Sequence, residues 1–241
     1  MLIAIALTAA TVAGASAGAQ RVMLDPPPMV ITVHAAPTIS SSLLTFMLRE
    51  TDEIWRRAGV TFVWQVTPLP TAPYLRAISL APYRPSTVRV IVDDEIGRKA
   101  ESGVPIGWVV FDDPHAPEPD LHVSRANARR LLAMAPSIVG RLDEMPRLQE
   151  EILLGRAMGR ALAHEMGHYL LASKAHTSRG VMQATLSSWE FFSAAHADLG
   201  LGPAERNAAA ERISATANER VARAQEPAAV RQTPAGGRPR S

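Results

Sequence analysis

The chain has 241 residues, 47% of them apolar and 20% charged, with seven histidines, no cysteine and a formal net charge of +2. Without cysteine there can be no disulfide framework and no thiolate metal site, so a transition metal would have to be held by histidine and carboxylate. The positive surplus lies at the end of the chain, where Arg231, Arg238 and Arg240 outweigh Glu226; the rest is neutral and has no basic stripe of the kind that binds nucleic acid.

From Met1 to Gln20 no side chain is charged, and the apolar run Leu2–Leu7 is followed by small residues. This pattern predicts a secretory signal peptide over residues 1–19, cleaved after Ala17 or Ala19, and hence a secreted or periplasmic protein. The run is too short and alanine-rich for a membrane span, so stable membrane insertion is not expected, and an uncleaved anchor is the weaker alternative. Residues 20–225 are long enough for one domain with its own core. Residues 226–241, rich in Pro, Gly and Ala, read as a disordered basic tail.

Within the domain, Val30–Val33 is a strand candidate, and Ser41 or Ser42 is placed to cap a helix through Leu44, Met47, Leu48, Ile54 and Trp55 that stops at Gly59. Val60–Val66, Val88–Val92 and Ile106–Phe111 read as three further strands, with a proline-rich connection from Pro68 to Pro85 between the first two. The segment from Asp112 to Asp120 gathers four carboxylates and His115, a composition that can hold calcium, but its spacing favours a solvated acidic loop. Leu121–Ser124 is a short strand candidate, and Ser124 is placed to cap a helix through Met134. His34, His115, His122 and His196 have no partner pattern and are given no role.

Residues Arg147 to Ala172 read as one long helix, with Leu148, Ile152, Leu154, Met158, Leu162, Met166 and Tyr169 or Leu170 forming an apolar stripe. It contains His164-Glu165-Met166-Gly167-His168, an H-E-x-x-H motif that a random chain of this composition would contain about once in a hundred cases. On a helix the two imidazoles share one face, which Ala157 and Ala161 leave uncrowded in the preceding turns. Glu165 is offset by one position, out of easy reach of a metal shared by both histidines but suited to act as general base on a metal-bound water.

A catalytic zinc site needs a third protein ligand and an open position. His176, eight residues after His168 in a polar turn, is the preferred third ligand; Glu190, twenty-two residues after His168, is its rival.

On these residues the chain resembles the metzincin branch of the zincin metallopeptidases. His164, Glu165 and His168 match the family motif directly, His176 stands for its third histidine, and Met182 after Gly180 resembles the methionine that floors the metal. Leu171 stands in place of the family glycine and Lys174 in place of the usual third ligand, so the link to His176 is two residues longer. The rival Glu190 follows the thermolysin-like pattern instead.

The resemblance implies an α+β zincin-like domain, with a twisted mixed sheet packed on the metal-binding helix and a helical C-terminal part, here Ser187–Leu199 and Ala204–Ala224. It implies a secreted zinc peptidase acting on peptide or protein substrates, with Zn2+ held by His164, His168 and His176 and Glu165 moving the proton from water to the leaving amine. An edge strand, Ile106–Phe111 or Leu121–Ser124, would take extended substrate by strand addition. The alternative is a secreted, non-proteolytic metal-binding or structural protein with the same fold. Retention of Glu165 favours an enzyme.

Overall fold

The computed structural model describes residues 26–68, 88–94, 105–113, 116–196 and 199–225. The expected signal peptide, His115, the basic tail and most of the Pro68–Pro85 connection lie outside them. The elements in chain order are β1 (Met29–Ala35), α1 (Ser41–Arg56), β2 (Phe62–Pro68), β3 (Val88–Asp93), β4 (Gly107–Asp113), β5 (Ala116–Ser124), α2 (Arg125–Ala133), α3 (Pro136–Val139), a 3-10 turn (Leu142–Glu144), α4 (Arg147–Leu171), α5 (Ser188–Phe192) and α6 (Pro203–Gln225).

The strands form one five-stranded mixed sheet in the order β2-β1-β3-β5-β4, parallel except for β4, which runs antiparallel to β5 at one edge. Alternate residues of β1 and β3 are buried, so Ile31, Val33, Val88, Val90 and Val92 supply the core face. With its helices the domain is a mixed α and β structure, as expected.

Local chemistry accounts for most of the boundaries. Ser40, and not the expected Ser41 or Ser42, accepts a hydrogen bond from the Leu43 amide to cap α1, Ser124 does the same for Asn127 at the start of α2, and Gly59 takes a positive φ of 78° just after α1. The strand expected from Val60 begins two residues later, because the Val60 amide is held by the Trp55 carbonyl and pairing with β1 starts at Phe62.

The expected acidic loop is largely strand. Asp120 is taken up by a two-pronged ion pair with Arg89, at 2.6 and 2.7 Å, which opposes a calcium role for it. Pro117 and Pro119 are tolerated because pairing with β3 begins only at Asp120, so this part of β5 is flanked by β4 alone.

Helix α4 is central rather than amphipathic: from Leu153 to Leu170 nearly every residue is buried, whereas Leu148, placed in the apolar stripe, is 59% exposed. It lies close to α1 because Gly155 and Gly159 carry no side chain; a β-carbon at either would run into Phe46, Met47 or Glu50. The Trp55 indole donates to the Ala163 carbonyl at 3.2 Å and the Thr51 hydroxyl to Gly159 at 3.0 Å, fixing the register of the two helices.

The helix expected over Ser187–Leu199 is only Ser188–Phe192, and Trp189, expected to pack, is 63% exposed. The fully buried Arg160 explains the early end: its guanidinium pairs with Glu50 at 2.7 Å and donates to the carbonyls of Glu190, Ser193 and Ala195, drawing the chain out of the helix. No helix among the described residues is long and apolar enough to cross a membrane.

Candidate metal centre

His164 and His168 sit one turn apart near the end of α4, and their side chains meet: Nε2 of one lies 2.9 Å from Nε2 of the other. The helix stops two turns after His164 because Ala172 adopts the left-handed conformation, φ 47°. The chain then turns back, and the His176 ring lies 5.3 Å from that of His164 and 4.9 Å from that of His168. One potential ligand atom from each histidine falls within 4.8 Å of the others.

Backbone carbonyls orient two of the rings. His164 Nδ1 donates to the Val181 carbonyl and His168 Nδ1 donates to the Ser173 carbonyl, both at 2.7 Å. A neutral imidazole that carries its proton on Nδ1 presents a lone pair on Nε2. Two lone pairs facing each other at 2.9 Å repel, and a cation between them converts that repulsion into coordination. Tetrahedral zinc with Zn–N bonds of about 2.0–2.1 Å would hold its ligand nitrogens about 3.3 Å apart, so a small outward adjustment of these rings accommodates it. The three histidines therefore fit a metal ion.

Burial also favours the ligating form. It pushes His168 down to about 4, with the neighbouring His164 and His176 adding to the effect against the Ser173 hydrogen bond, and lowers His164 for the same main reason. His168 is buried, His164 half-buried and His176 exposed, so the cluster opens to solvent on the His176 side.

Glu165 is buried under β4. Burial pushes its carboxyl up to about 8, against a hydrogen bond with the Val109 backbone that favours the charged form. The strand passes close enough for this because Gly107 has no side chain: a β-carbon there would meet the Glu165 Cγ at 3.0 Å and the Ala161 side chain at 3.5 Å. Ala161 and the fully buried Ala157 are thus covered by the fold, a correction to their expected role of leaving space for ion and substrate.

Met182 is buried against Gly167, where a β-carbon would fall on its sulfur. The turn that carries Val181 and Met182 depends on Gly180, which has a φ of 82° and approaches the Gly200 carbonyl too closely for any side chain.

Glu190, the rival third ligand, is engaged elsewhere. Its carboxylate accepts from the Ser187 amide and hydroxyl, both at 2.7 Å, while the Ser187 hydroxyl accepts from the Glu190 amide. These bonds form a capping box for α5 and hold the carboxyl below its usual range. Among the described residues, His164, His168 and His176 form the one group of three placed to share an ion.

The carbonyls of Ser173 and Val181, and the clearances at Gly107 and Gly167, were not foreseen from the sequence. Gly167 lies inside the motif, so its lack of a side chain was the available signal; the carbonyls left none. Compared with known proteins, the chain matches no family model and no curated protein.

Proposed function

We propose that this protein is an exported zinc-dependent peptidase of the zincin type, metzincin-like, that hydrolyses peptide bonds in peptide or protein substrates. The observation that carries the reading is the convergence of His164, His168 and His176 with Glu165 next in sequence to the first of them.

In this reading the three histidines hold the metal through nitrogens whose direction is set by the Val181 and Ser173 carbonyls. Bound zinc would supply Lewis acidity towards a substrate carbonyl and lower the pKa of a water.

Glu165 is the proton carrier: it takes a proton from the attacking water and gives it to the leaving amine. Burial favours its protonated form, and a divalent cation held by the histidines close to the carboxylate would favour the charged form that a base requires. Met182 packs on Gly167 within the motif, and in this reading it supplies the apolar floor of the site. Among the described residues no strand pairs with the outer edge of β4, which is where an extended peptide would add.

Metal analysis of the purified chain, together with assays of wild type and Glu165→Gln on an unfolded protein, tests the proposal. About one zinc per chain is expected, with at least a hundredfold loss of activity in the variant and zinc content retained. A chain that takes up no zinc overturns the metal assignment, and a variant as active as wild type overturns the role of Glu165.

A further inference from the structure

The Ser124 amide donates to the Ile106 carbonyl at 2.8 Å, and from there β4 and β5 pair as Gly107 with Val123, Trp108 with His122 and Val109 with Leu121. In an antiparallel ladder, pairs that exchange hydrogen bonds alternate with pairs that do not. Ile106 and Trp108 therefore turn their main-chain groups to β5, whereas the N–H and C=O of Gly107 and Val109 point to the outer edge of the sheet, where no strand pairs among the described residues.

Glu165 reaches that edge from α4. A β-carbon on Gly107 would come within 3.0 Å of its Cγ, and its carboxylate is hydrogen-bonded to the Val109 backbone. A carboxylate accepts, so the donor is the Val109 N–H. One amide of the edge is thus engaged by Glu165 itself. A sheet amide cannot turn away as a side-chain donor can, so it fixes one carboxylate oxygen and leaves the other to take a proton.

We propose that the main-chain N–H of Val109 is a positioning group, which holds the Glu165 carboxylate for proton transfer and is not a donor to the substrate. The inference rests on the peptidase reading and deepens it. An extended peptide on β4 would be tied through the main-chain groups of Gly107 and the Val109 carbonyl.

Two experiments on the full-length chain test this. Val109→Pro deletes the N–H and keeps the carbonyl, and an edge strand tolerates proline where the N–H faces outward. On a fluorogenic unfolded protein, kcat is expected to fall about tenfold, the scale of one hydrogen bond to a charged group, with zinc content kept and KM within about twofold. An N–H that served the substrate would give the opposite split, with KM raised and kcat kept.

The second experiment needs no turnover. Amide exchange is followed by NMR on 15N-labelled protein, and the Val109 amide is expected to exchange at least about tenfold more slowly in the wild type than in Glu165→Ala. Trp108, whose amide lies in the ladder, should exchange alike in both. Glu165→Gln keeps an acceptor oxygen and should keep most of the protection, which separates a lost bond from a loosened strand.

Equal exchange of Val109 in wild type and Glu165→Ala, or a loss in Val109→Pro that falls on KM alone, overturns the inference. If Val109→Pro does not fold, or the wild type hydrolyses nothing, exchange still decides whether the amide holds Glu165. Failure of the peptidase reading is therefore distinguishable from failure of the positioning role.

Discussion

Gly167 and Met182 are in contact, and the contact leaves no room for a β-carbon at 167. One end of this pair lies on α4 between Glu165 and His168, and the other lies in the turn whose Val181 carbonyl orients His164. The separation of helix and turn thus sets the geometry of the centre.

Gly167→Ala should therefore weaken metal binding without disrupting the helix. Alanine gains about 1 kcal/mol of helix propensity, but overpacking against the sulfur costs about 1–3 kcal/mol and displaces the turn. Zinc affinity, measured by competition with a chelator, is expected to fall at least tenfold, with helical circular dichroism unchanged. Met182→Ala added to Gly167→Ala should recover part of the loss; a single variant that binds zinc like the wild type would show that the turn does not set the ligand geometry.

His176→Ala and Glu190→Ala separate the two candidate third ligands. Loss of His176 should reduce zinc affinity by at least a hundredfold, since only two protein ligands remain. Loss of Glu190 removes one side of the α5 capping box and should cost about 1 kcal/mol of stability with zinc stoichiometry intact. The opposite pattern in metal content would transfer the role to Glu190.

Arg160→Met should be among the most destabilising changes away from the histidines. It leaves Glu50 buried without its main partner and removes donors from the carbonyls of Glu190, Ser193 and Ala195. Unpairing a buried ion pair of this kind costs about 3–5 kcal/mol, readable as a lower urea midpoint. Adding Glu50→Gln, which removes the stranded charge, should restore part of the stability even though His196 also contacts Glu50 at 2.9 Å.

The metal-free protein should be most stable near pH 6.5. The folded state pushes Glu165 up to about 8, so between its ordinary value and 8 the folded chain holds a proton that the unfolded chain has released, and the stabilisation is lost as pH rises through about 8. The folded state lowers His168 to about 4 and also lowers His164, so below about 6.5 the unfolded chain takes up protons that the folded one refuses, and stability falls with pH. From about 4.5 to 6.5 the slopes of His168 and Glu165 oppose each other, and the lowered His164 adds to the histidine side. Urea midpoints at about pH 5, 6.5 and 8 locate the maximum, and in Glu165→Gln the decline between 6.5 and 8 should flatten. A decline that persists in that variant assigns it to other groups.

The sequence by itself determined the local features: the long helix from Arg147, the cap at Ser124, the stop at Gly59 and the shared face of His164 and His168, while it placed the α1 cap one or two residues late, at Ser41 or Ser42 instead of Ser40. Each depends on the periodicity or side-chain chemistry of residues a few positions apart. The choice between His176 and Glu190 could not be made that way, because both lie at workable distances along the chain. In the tertiary structure the left-handed turn at Ala172 returns the chain towards α4 and brings His176 to the other two histidines, while Ser187 engages Glu190, and these contacts support the proposal of His176. The early end of α5, the covering of Ala161 by Gly107 and the clamp of Arg160 on three carbonyls likewise come from contacts between elements remote in sequence. Such contacts depend on how close two backbones approach, which no local pattern encodes.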